Sequence, residues 1–507
     1  MCGPRRGVAS RDVGPGQLSS IQLTYLTTAT SNLPPNIMAF SSIPQDILTP
    51  IFRLIDQSDR CSISRVSKVL RDVSRPTRFQ DVQLHSKEAF GKLCNLVCEE
   101  EYAYCAKFVQ EMTLDSDQTL SSPFPRLFPQ LASLSVFCWM DIDLHRAFLA
   151  SLGELSSLRR LALNASTLES TNPEEFSSLK LTELMISTKD SSALELCHNL
   201  LRGATQKSIA TLAIHASSQS PAGQITDVFP NGIDSFPALR DLRLDGHFHS
   251  PKISRYSSLL PALSTFHCSA HRRGAALHDG NGGDWENLEN LVVSYDSTNE
   301  VEDKIYEHAP NLKKVKLREL SVGSLHNVLL SIGRAGTNVC HLTSVSLDMI
   351  LSHPKTIIKE DVLESALSSM KNLEHFTLTG YTSPVTRFQW FTNVDRLAKM
   401  LSTLRSLRSL RTNLAIDAMG FLPDKSDAVL PYVESKKEMY MEKTKSFFES
   451  CPSLQVVTWG FGAWSERWWH IPVKRFGACE SGETDKFEID EKIYISINTV
   501  FDESEFR

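Results

Sequence analysis

Histidines, the residues most often used for acid–base chemistry and zinc binding, are spread loosely along this chain. His247 and His249 alternate as strand residues do, and His267, His271 and His278 show no regular spacing. This spacing favours packed or solvated histidines over a metal site. No nucleophile–base pair, phosphate-binding loop or metal-ligand set is recognisable elsewhere, so we predict that the chain is not an enzyme and needs no cofactor.

Two further clusters each have a chemical interpretation and a simpler alternative. Residues 279–284 read DGNGGD, but the glycines fall at the wrong steps for a calcium loop and no glutamate lies at the required distance. A turn is the preferred interpretation. Arg405, Arg408 and Arg411 recur at helical spacing. Such a row suits either an acidic or phosphorylated partner or, as we prefer, a solvated helix face.

An aromatic cluster lies in the C-terminal part of the chain. Its members are Trp459, Phe461, Trp464, Trp468 and Trp469. Aromatic residues are common in binding hot spots, but the last unit of a repeat array also needs an apolar cap. We favour the cap, and a contact with substrate at its edge stays open.

The composition is that of a folded protein with a continuous core, since 41% of the 507 residues are hydrophobic and 22% are charged. A net charge of −6 gives no general attraction for nucleic acid or an anionic membrane. No run approaches the roughly 18 consecutive apolar residues of a spanning helix. The 11 cysteines form no disulfide or metal framework. We therefore expect a cytoplasmic and/or nuclear protein with neither a nucleic-acid nor a membrane partner.

Residues 43–79 carry the signals of three short helices. Asp46 suits the first turn of one helix, Ser58 begins a second, and Pro76 is expected to end a third. Apolar residues in the first helix recur at steps of three and four and make one broad face: Ile47, Leu48, Ile51, Phe52 and Ile55. Because so small a unit has too little core of its own, we expect part of this face to meet a partner.

These residues resemble the F-box, whose pattern combines a Leu-Pro pair, an acidic residue, Ile-Leu, Ile-Phe, an acidic turn and Val-Ser-Lys. The matching positions are Ile43, Pro44, Asp46, Ile47, Leu48, Ile51, Phe52, Asp56, Asp59, Val66, Ser67 and Lys68. The chain departs from the pattern at Ile43, Cys61 and Leu70, and Pro50 predicts a kink or a helix start later than Pro44. The resemblance implies contact with a Skp-type adaptor through Pro44, Ile47, Leu48, Ile51, Phe52 and Val66.

From about residue 80 one pattern recurs: apolar, two variable residues, apolar, one variable residue, apolar. Its first positions are separated by roughly 23 to 34 residues, apart from one wide gap. They are Leu131, Leu158, Leu181, Ile209, Leu239, Leu263, Leu288, Leu312, Leu342, Leu373 and Leu454. The final alternation predicts a short strand with one buried face. Residues 402–412, inside the gap, are a candidate for one weak repeat.

Helical segments are predicted between these strands, over residues 144–155, 193–201, 301–308, 325–332, 361–370, 396–407 and 433–449. Each strand–helix unit can bury its apolar side only against its neighbours, which predicts a stack with a long concave face. The strand motifs are similar to leucine-rich repeats, although the asparagine that commonly follows the strand is mostly missing.

The predicted fold class is α/β: a short three-helix F-box followed by a curved leucine-rich-repeat solenoid with an inner parallel sheet and outer helices. The predicted segments are a disordered tail over residues 1–38, the F-box over 39–80, the solenoid over 81–470 with an insertion at about 413–450, and an acidic cap or tail over 471–507. An ordinary open α/β domain is the alternative for the repeat region.

The resemblance to fungal-type F-box proteins with leucine-rich repeats implies a substrate-recognition adaptor of a cullin-RING, or SCF-type, ubiquitin ligase. It implies that the F-box binds the Skp-type adaptor and, through it, cullin and RING subunits, while the repeats bind an unknown protein substrate. The alternative is a leucine-rich-repeat scaffold for protein–protein interaction without a ligase role.

Overall fold

A computed structural model of the chain divides into two compact units, Met1–Arg78 and Phe79–Arg507. The structure describes residues 45–55, 57–98, 103–115, 124–144, 146–168, 173–188, 192–216, 228–246, 257–270, 285–294, 309–351, 359–382, 394–412, 437–462, 467–476, 486–489 and 494–497. The predicted tail, the helix predicted over 301–308, the DGNGGD turn and four of the five histidines, His247, His249, His271 and His278, lie outside these residues.

The first unit contains three helices: α1 Gln45–Leu54, α2 Gln57–Ile63 and α3 Lys68–Arg78. Pro50 lies inside α1. The prediction that the third helix ends at Pro76 was wrong, because α3 continues to Arg78. Pro76 falls in the last turn, where it removes a single backbone hydrogen bond. The end of α3 also has a partner from α2, since Arg60 Nη1 donates to the Thr77 carbonyl at 3.0 Å.

Within the described residues, the second unit is built around a sheet of 17 strands. Its strands are β1 Asp81–Leu84, β2 Glu111–Asp115, β3 Val136–Leu144, β4 Arg160–Leu168, β5 Glu183–Thr188, β6 Thr211–Ala216, β7 Asp241–Gly246, β8 Thr265–Ala270, β9 Asn290–Ser294, β10 Lys314–Leu320, β11 Ser344–Leu351, β12 His375–Thr382, β13 Ser409–Thr412, β14 Val456–Gly462, β15 Arg467–Phe476, β16 Lys486–Ile489 and β17 Tyr494–Ile497.

Strands β1 to β14 pair in chain order, each parallel to the next. Strand β15 turns back antiparallel to β14 and pairs with both β16 and β17. Helices described between the strands are α4 Lys87–Cys98, α5 Phe124–Leu127, α6 Arg146–Leu152, α7 Ser192–Leu200, α8 Ala204–Ser208, α9 Val322–Ala335, α10 Glu360–Ser369, α11 Val394–Leu401 and α12 Lys437–Ser450. Short 3₁₀ turns cover Ala103–Phe108, Phe128–Gln130, Pro173–Phe176 and Gly336–Val339. The predicted α/β class, with a mostly parallel sheet and helices, is confirmed.

Alternation along each strand separates two faces of the sheet. In β4, Leu161 and Leu163 are fully buried in the main core, and β5 aligns Leu184 and Ile186 with them. The buried residues form one contiguous apolar cluster that extends from Val82 to Val473. We call the side that carries the intervening residues the opposite face.

The structure corrects the register of the first repeat motif. The sequence pattern predicted Val136 as an inward position, but Val136 is only partly buried and packs on the opposite face. The inward residues of β3 are Phe137 and Trp139. Their rings pack with Phe148, which lies 4.3 Å from Trp139 between ring centroids. The register of β3 is therefore the one that buries the bulky rings of Phe137 and Trp139.

Residues 396–407 do not form a single helix as predicted. Helix α11 ends at Leu401, and the Leu407 amide then donates to the Leu404 carbonyl in a tight turn before β13. Arg405 and Arg408 are exposed in this turn and its exit, whereas Arg411 lies on β13. The helical row of arginines predicted from their spacing is therefore wrong.

Trp459 is fully buried. This member of the aromatic cluster therefore packs in the interior and does not lie on an exposed binding surface. Its Nε1 donates to Thr444 Oγ1 at 2.9 Å, and Thr444 Oγ1 donates to the Tyr440 carbonyl at 2.6 Å. The ring centroid of Phe447 lies 6.0 Å from that of Trp459. Trp459 thus joins β14 to α12 in the interior.

We predict that Trp459→Ala lowers the free energy of unfolding by about 3–5 kcal/mol, because it leaves a cavity and a hydroxyl without its indole partner. Urea denaturation followed by far-UV circular dichroism measures this change. The matched control is Tyr104→Ala, at a more exposed ring, with an expected loss below about 1 kcal/mol. Equal losses in the two variants would contradict the structural role of Trp459.

Candidate functional site

The three helices of the first unit share a small core. Leu48 and Phe52 of α1 pack with Leu70 and Val73 of α3, and each of these side chains is at most 5% exposed. Ile63 of α2 packs against them and is partly buried. The interior is made of few residues, and part of the apolar surface of α1 stays exposed.

Polar contacts hold the turns between these helices. Arg60 Nε donates to the Ile55 carbonyl at 2.6 Å, and Arg78 Nη1 donates to Ser64 Oγ at 2.9 Å. The buried Ser64 hydroxyl donates in turn to the Cys61 carbonyl at 2.8 Å. These bonds connect α2 to both neighbouring helices. They fix the positions from which the outer side chains project.

The outer surface of this unit is unusually apolar. Of the six large hydrophobic side chains exposed in the described part of the chain, five belong to it: Ile47, Ile51, Leu54, Val66 and Val69, at 52%, 44%, 88%, 75% and 42% exposure. The first three are spaced four and three residues apart, so they share one face of α1. Contiguous exposed apolar side chains of this kind mark interaction surfaces.

Residues 40–79 match the family model described as F-box domain. Residues 40–79 are an F-box domain. F-box domains typically bind Skp-type adaptors, and proteins that contain them are generally adaptors rather than enzymes. The match covers the three described helices of the first unit and does not extend into the sheet.

No curated protein matched the sequence. A comparison with solved structures gave a chain from "Structure of the Toll - Spatzle complex, a molecular hub in Drosophila development and innate immunity". The two chains are 14% identical, and the alignment covers 61% of this chain and 42% of that one, with a TM-score of 0.29. This chain thus spans less than half the length of the matched chain, and so weak a likeness carries no argument about its function.

The six residues predicted to contact the adaptor divide into two groups, with Pro44 outside the described residues. Ile47, Ile51 and Val66 are exposed, whereas Leu48 and Phe52 are each 2% exposed inside the unit. The apolar face of α1 is wider than α3 can cover, because adjacent residues point about 100° apart around a helix. Sequence spacing shows the whole face but does not show which part the unit itself buries.

The sheet provides a second candidate surface, on its opposite face. Across β3 to β6 this face carries a buried cluster of small or flexible residues: Cys138, Ala162, Met185 and Ala213. Burial raises the pKa of the Cys138 thiol. From β7 onward polar side chains replace this apolar cluster, and charged ones lie among them on β7, β10 and β13. The opposite face is therefore divided into an apolar part and a charged part.

Ion pairs organise the first strands of the charged part. Asp245 Oδ2 lies 2.8 Å from His215 Nδ1 on the neighbouring strand, and Asp241 Oδ2 lies 3.1 Å from Arg243 Nη2. His267, on β8, has no hydrogen-bond partner for its buried Nδ1 among the described residues. Burial, followed by the positive charge of Arg243, lowers the pKa of His267 to about 4. The imidazole is therefore neutral at pH 7.

Two other kinds of site have no support within the described ranges. No three histidine, cysteine or carboxylate side chains there are placed to hold a metal ion. No helix in the same ranges is long and apolar enough to cross a membrane.

We predict that His267 makes the protein less stable in acid. The unfolded chain takes up a proton near the ordinary pKa of 6.5, whereas folded His267 does so only near pH 4. The free energy of unfolding therefore falls as the pH drops from about 6.5 towards 4. Thermal unfolding at pH 7 and pH 5 tests this, and His267→Gln should lose less stability between the two than the wild type.

The control for this comparison is His341→Gln, which changes an exposed histidine of the same unit. It should reproduce the acid sensitivity of the wild type. An equal loss of stability in the wild type and in His267→Gln would contradict the assigned protonation of His267.

Proposed function

We propose that this protein is the substrate-recognition adaptor of an SCF-type, cullin-RING ubiquitin ligase. The observation that carries the proposal is the F-box domain at residues 40–79, together with its exposed apolar side chains. The domain binds a Skp-type adaptor and, through it, cullin and RING subunits. The second unit binds the protein to be ubiquitylated.

Ile47, Ile51, Leu54 and Val66 make the first contacts with the Skp-type adaptor in this proposal. Each apolar side chain contributes up to about 1.5–3 kcal/mol when fully buried. Leu48 and Phe52 hold α1 against α3 and so set the spacing of these contacts. A contact of Leu48, Phe52 or Pro44 with the adaptor stays a prediction.

The second unit acts in this proposal as a degenerate leucine-rich-repeat solenoid of the fungal type. The parallel pairing of β1 to β14 in chain order and the continuous core behind them support this assignment. Strands stacked in this way present a long surface on the opposite face, and repeat proteins use such surfaces for binding.

The chain would work by proximity and would perform no chemical step itself. Holding a target protein near a ubiquitin-carrying enzyme raises the effective concentration of the target lysine. A cytoplasmic or nuclear location belongs to the same proposal. The nine cysteines in the described part of the chain are all free thiols, which suits a reducing compartment.

The test is capture of the full chain by immobilised Skp-type adaptor. We predict that Ile51→Asp and Leu54→Asp each abolish capture, because a carboxylate at either position would lose its water in the interface without a partner. Both side chains are exposed, so the helices remain folded, and circular dichroism checks this. The matched control, Tyr104→Asp, places the same charge at an exposed ring of the second unit and should leave capture unchanged.

The outcomes separate the ligase adaptor from a repeat scaffold that recruits no ligase. Capture of the wild type that both α1 variants retain would contradict the assigned contact face. No capture of the intact wild-type chain would contradict the docking role and favour the scaffold instead.

A further inference from the structure

Three basic residues of β10 and β13 lie on the charged part of the opposite face. Lys316 and Arg318 are on β10, where they alternate with Val315 and Leu317 of the core. Arg411 is on β13. Backbone pairing places Lys316, Ser346, Thr377 and Arg411 in one row across β10 to β13. We call Lys316, Arg318 and Arg411 the basic cluster.

A bulge in β10 shapes this cluster. Leu317 pairs with Leu347, but the next pair is Leu320 with Met349, so β10 contains one extra residue between them. Arg318 and Glu319 of β10 thus lie opposite the single residue Asp348 of β11. Bulges of this kind redirect a side chain and are common beside functional sites. Arg318 is thereby placed among charges from neighbouring strands.

Asp348 of β11 is the acidic residue whose charge acts on Lys316. Asp348 accepts a hydrogen bond from the Thr379 hydroxyl. Within the described residues it forms no ion pair with Lys316 or Arg318, and the buried Arg318 Nε has no hydrogen-bond partner. On β9, the strand on the other side of β10, Val292 and Ser294 are uncharged. Among the described side chains, Lys316 and Arg318 therefore have no ion-pair partner.

Two basic residues elsewhere on this face have acidic partners, unlike Lys316 and Arg318. Arg160 lies 3.3 Å from Glu183, and Arg243 lies 3.1 Å from Asp241. In the basic cluster, burial and then the charge of Arg318 lower the pKa of Lys316 to about 8. Burial also lowers the pKa of Arg411. Like charges close together at a partly buried site repel each other unless an anion joins them.

We propose that Lys316, Arg318 and Arg411 bind a phosphate or carboxylate group on a protein segment that lies across β10 to β13. Arginine and lysine are the usual partners of both oxyanions. The row crosses three strand intervals, about 14 Å, which is wider than one phosphate and suits an extended segment. The hydroxyls of Ser346 and Thr377, between the cations, are available as further hydrogen-bond donors. This inference rests on the proposed role of the second unit and specifies the chemistry of its target.

The experiment measures fluorescence anisotropy of labelled degenerate nonapeptide pools with the full chain. The pools carry a central phosphoserine, glutamate or serine. We expect the phosphoserine or glutamate pool to bind more tightly than the serine pool. The double variant Lys316→Gln/Arg318→Gln should weaken that binding at least tenfold, about 1.4 kcal/mol. Its melting temperature should stay unchanged or rise, because the repulsion between the two cations is removed.

Two controls distinguish binding at this site from a general effect of positive charge and from adaptor docking. Arg408→Gln removes an exposed positive charge just before β13 and should change the affinity less than about twofold. Ile51→Asp, which is designed to stop adaptor capture, should bind the pools as the wild type does. Failure of adaptor docking and failure of the anion site are therefore measured in different variants.

Three results would overturn the inference. One is equal binding of the three pools by the wild type. Another is a double variant that keeps the wild-type affinity, or that loses affinity only together with a fall in melting temperature. The third is stabilisation by inorganic phosphate while none of the pools binds, which would replace the protein segment by a free anion.

Discussion

A repeated backbone contact between successive turns fixes the geometry on which the rest of the second unit depends. The Ser135 carbonyl accepts hydrogen bonds from the amides of both Arg159 and Arg160, at 2.8 and 2.9 Å. The Lys313 carbonyl does the same for Thr343 and Ser344, at 2.8 and 3.1 Å. Equivalent pairs precede each strand from β3 to β14. Because a slip of one residue would turn every side chain to the other face, this contact also determines which residues are buried.

That fixed register produces both the core and the surface that we propose for binding. Inward positions align from strand to strand as one apolar cluster, and the residues between them align as rows on the opposite face. Side chains far apart in the sequence, such as Lys316 and Arg411, therefore share a row. The first unit differs from the sheet, because its few buried residues leave an apolar surface that a partner can cover. The two units thus offer separate surfaces of different chemistry.

Much of the sheet could be predicted from the sequence because its inward positions are leucine or another aliphatic residue at a regular spacing, as at Leu184 and Ile186. Strand β13 gave a weaker signal because the buried Thr412 replaces the last apolar residue of the motif. Strands β1 and β2 were not among the predicted motifs. Val82 and Met112 show that each nevertheless carries inward apolar residues.

The candidate sites were less predictable than the fold. Three-and-four spacing identifies the apolar face of α1, but the division into buried Phe52 and exposed Ile51 depends on how much of α1 is covered by α3. The basic cluster could not be read along the chain, since Arg411 comes from a different strand than Lys316 and Arg318 and only strand pairing puts it in their row. The spacing of Arg411 from Arg405 and Arg408 predicted a helix, whereas Arg411 lies on strand β13.

Hydrogen–deuterium exchange of the full chain, with and without a Skp-type adaptor, tests the central claim that the two units carry separate binding surfaces. The account predicts slower amide exchange in residues 45–78 on adaptor binding and unchanged exchange in β10 to β13. Protection confined to the second unit, with residues 45–78 unchanged, would contradict it.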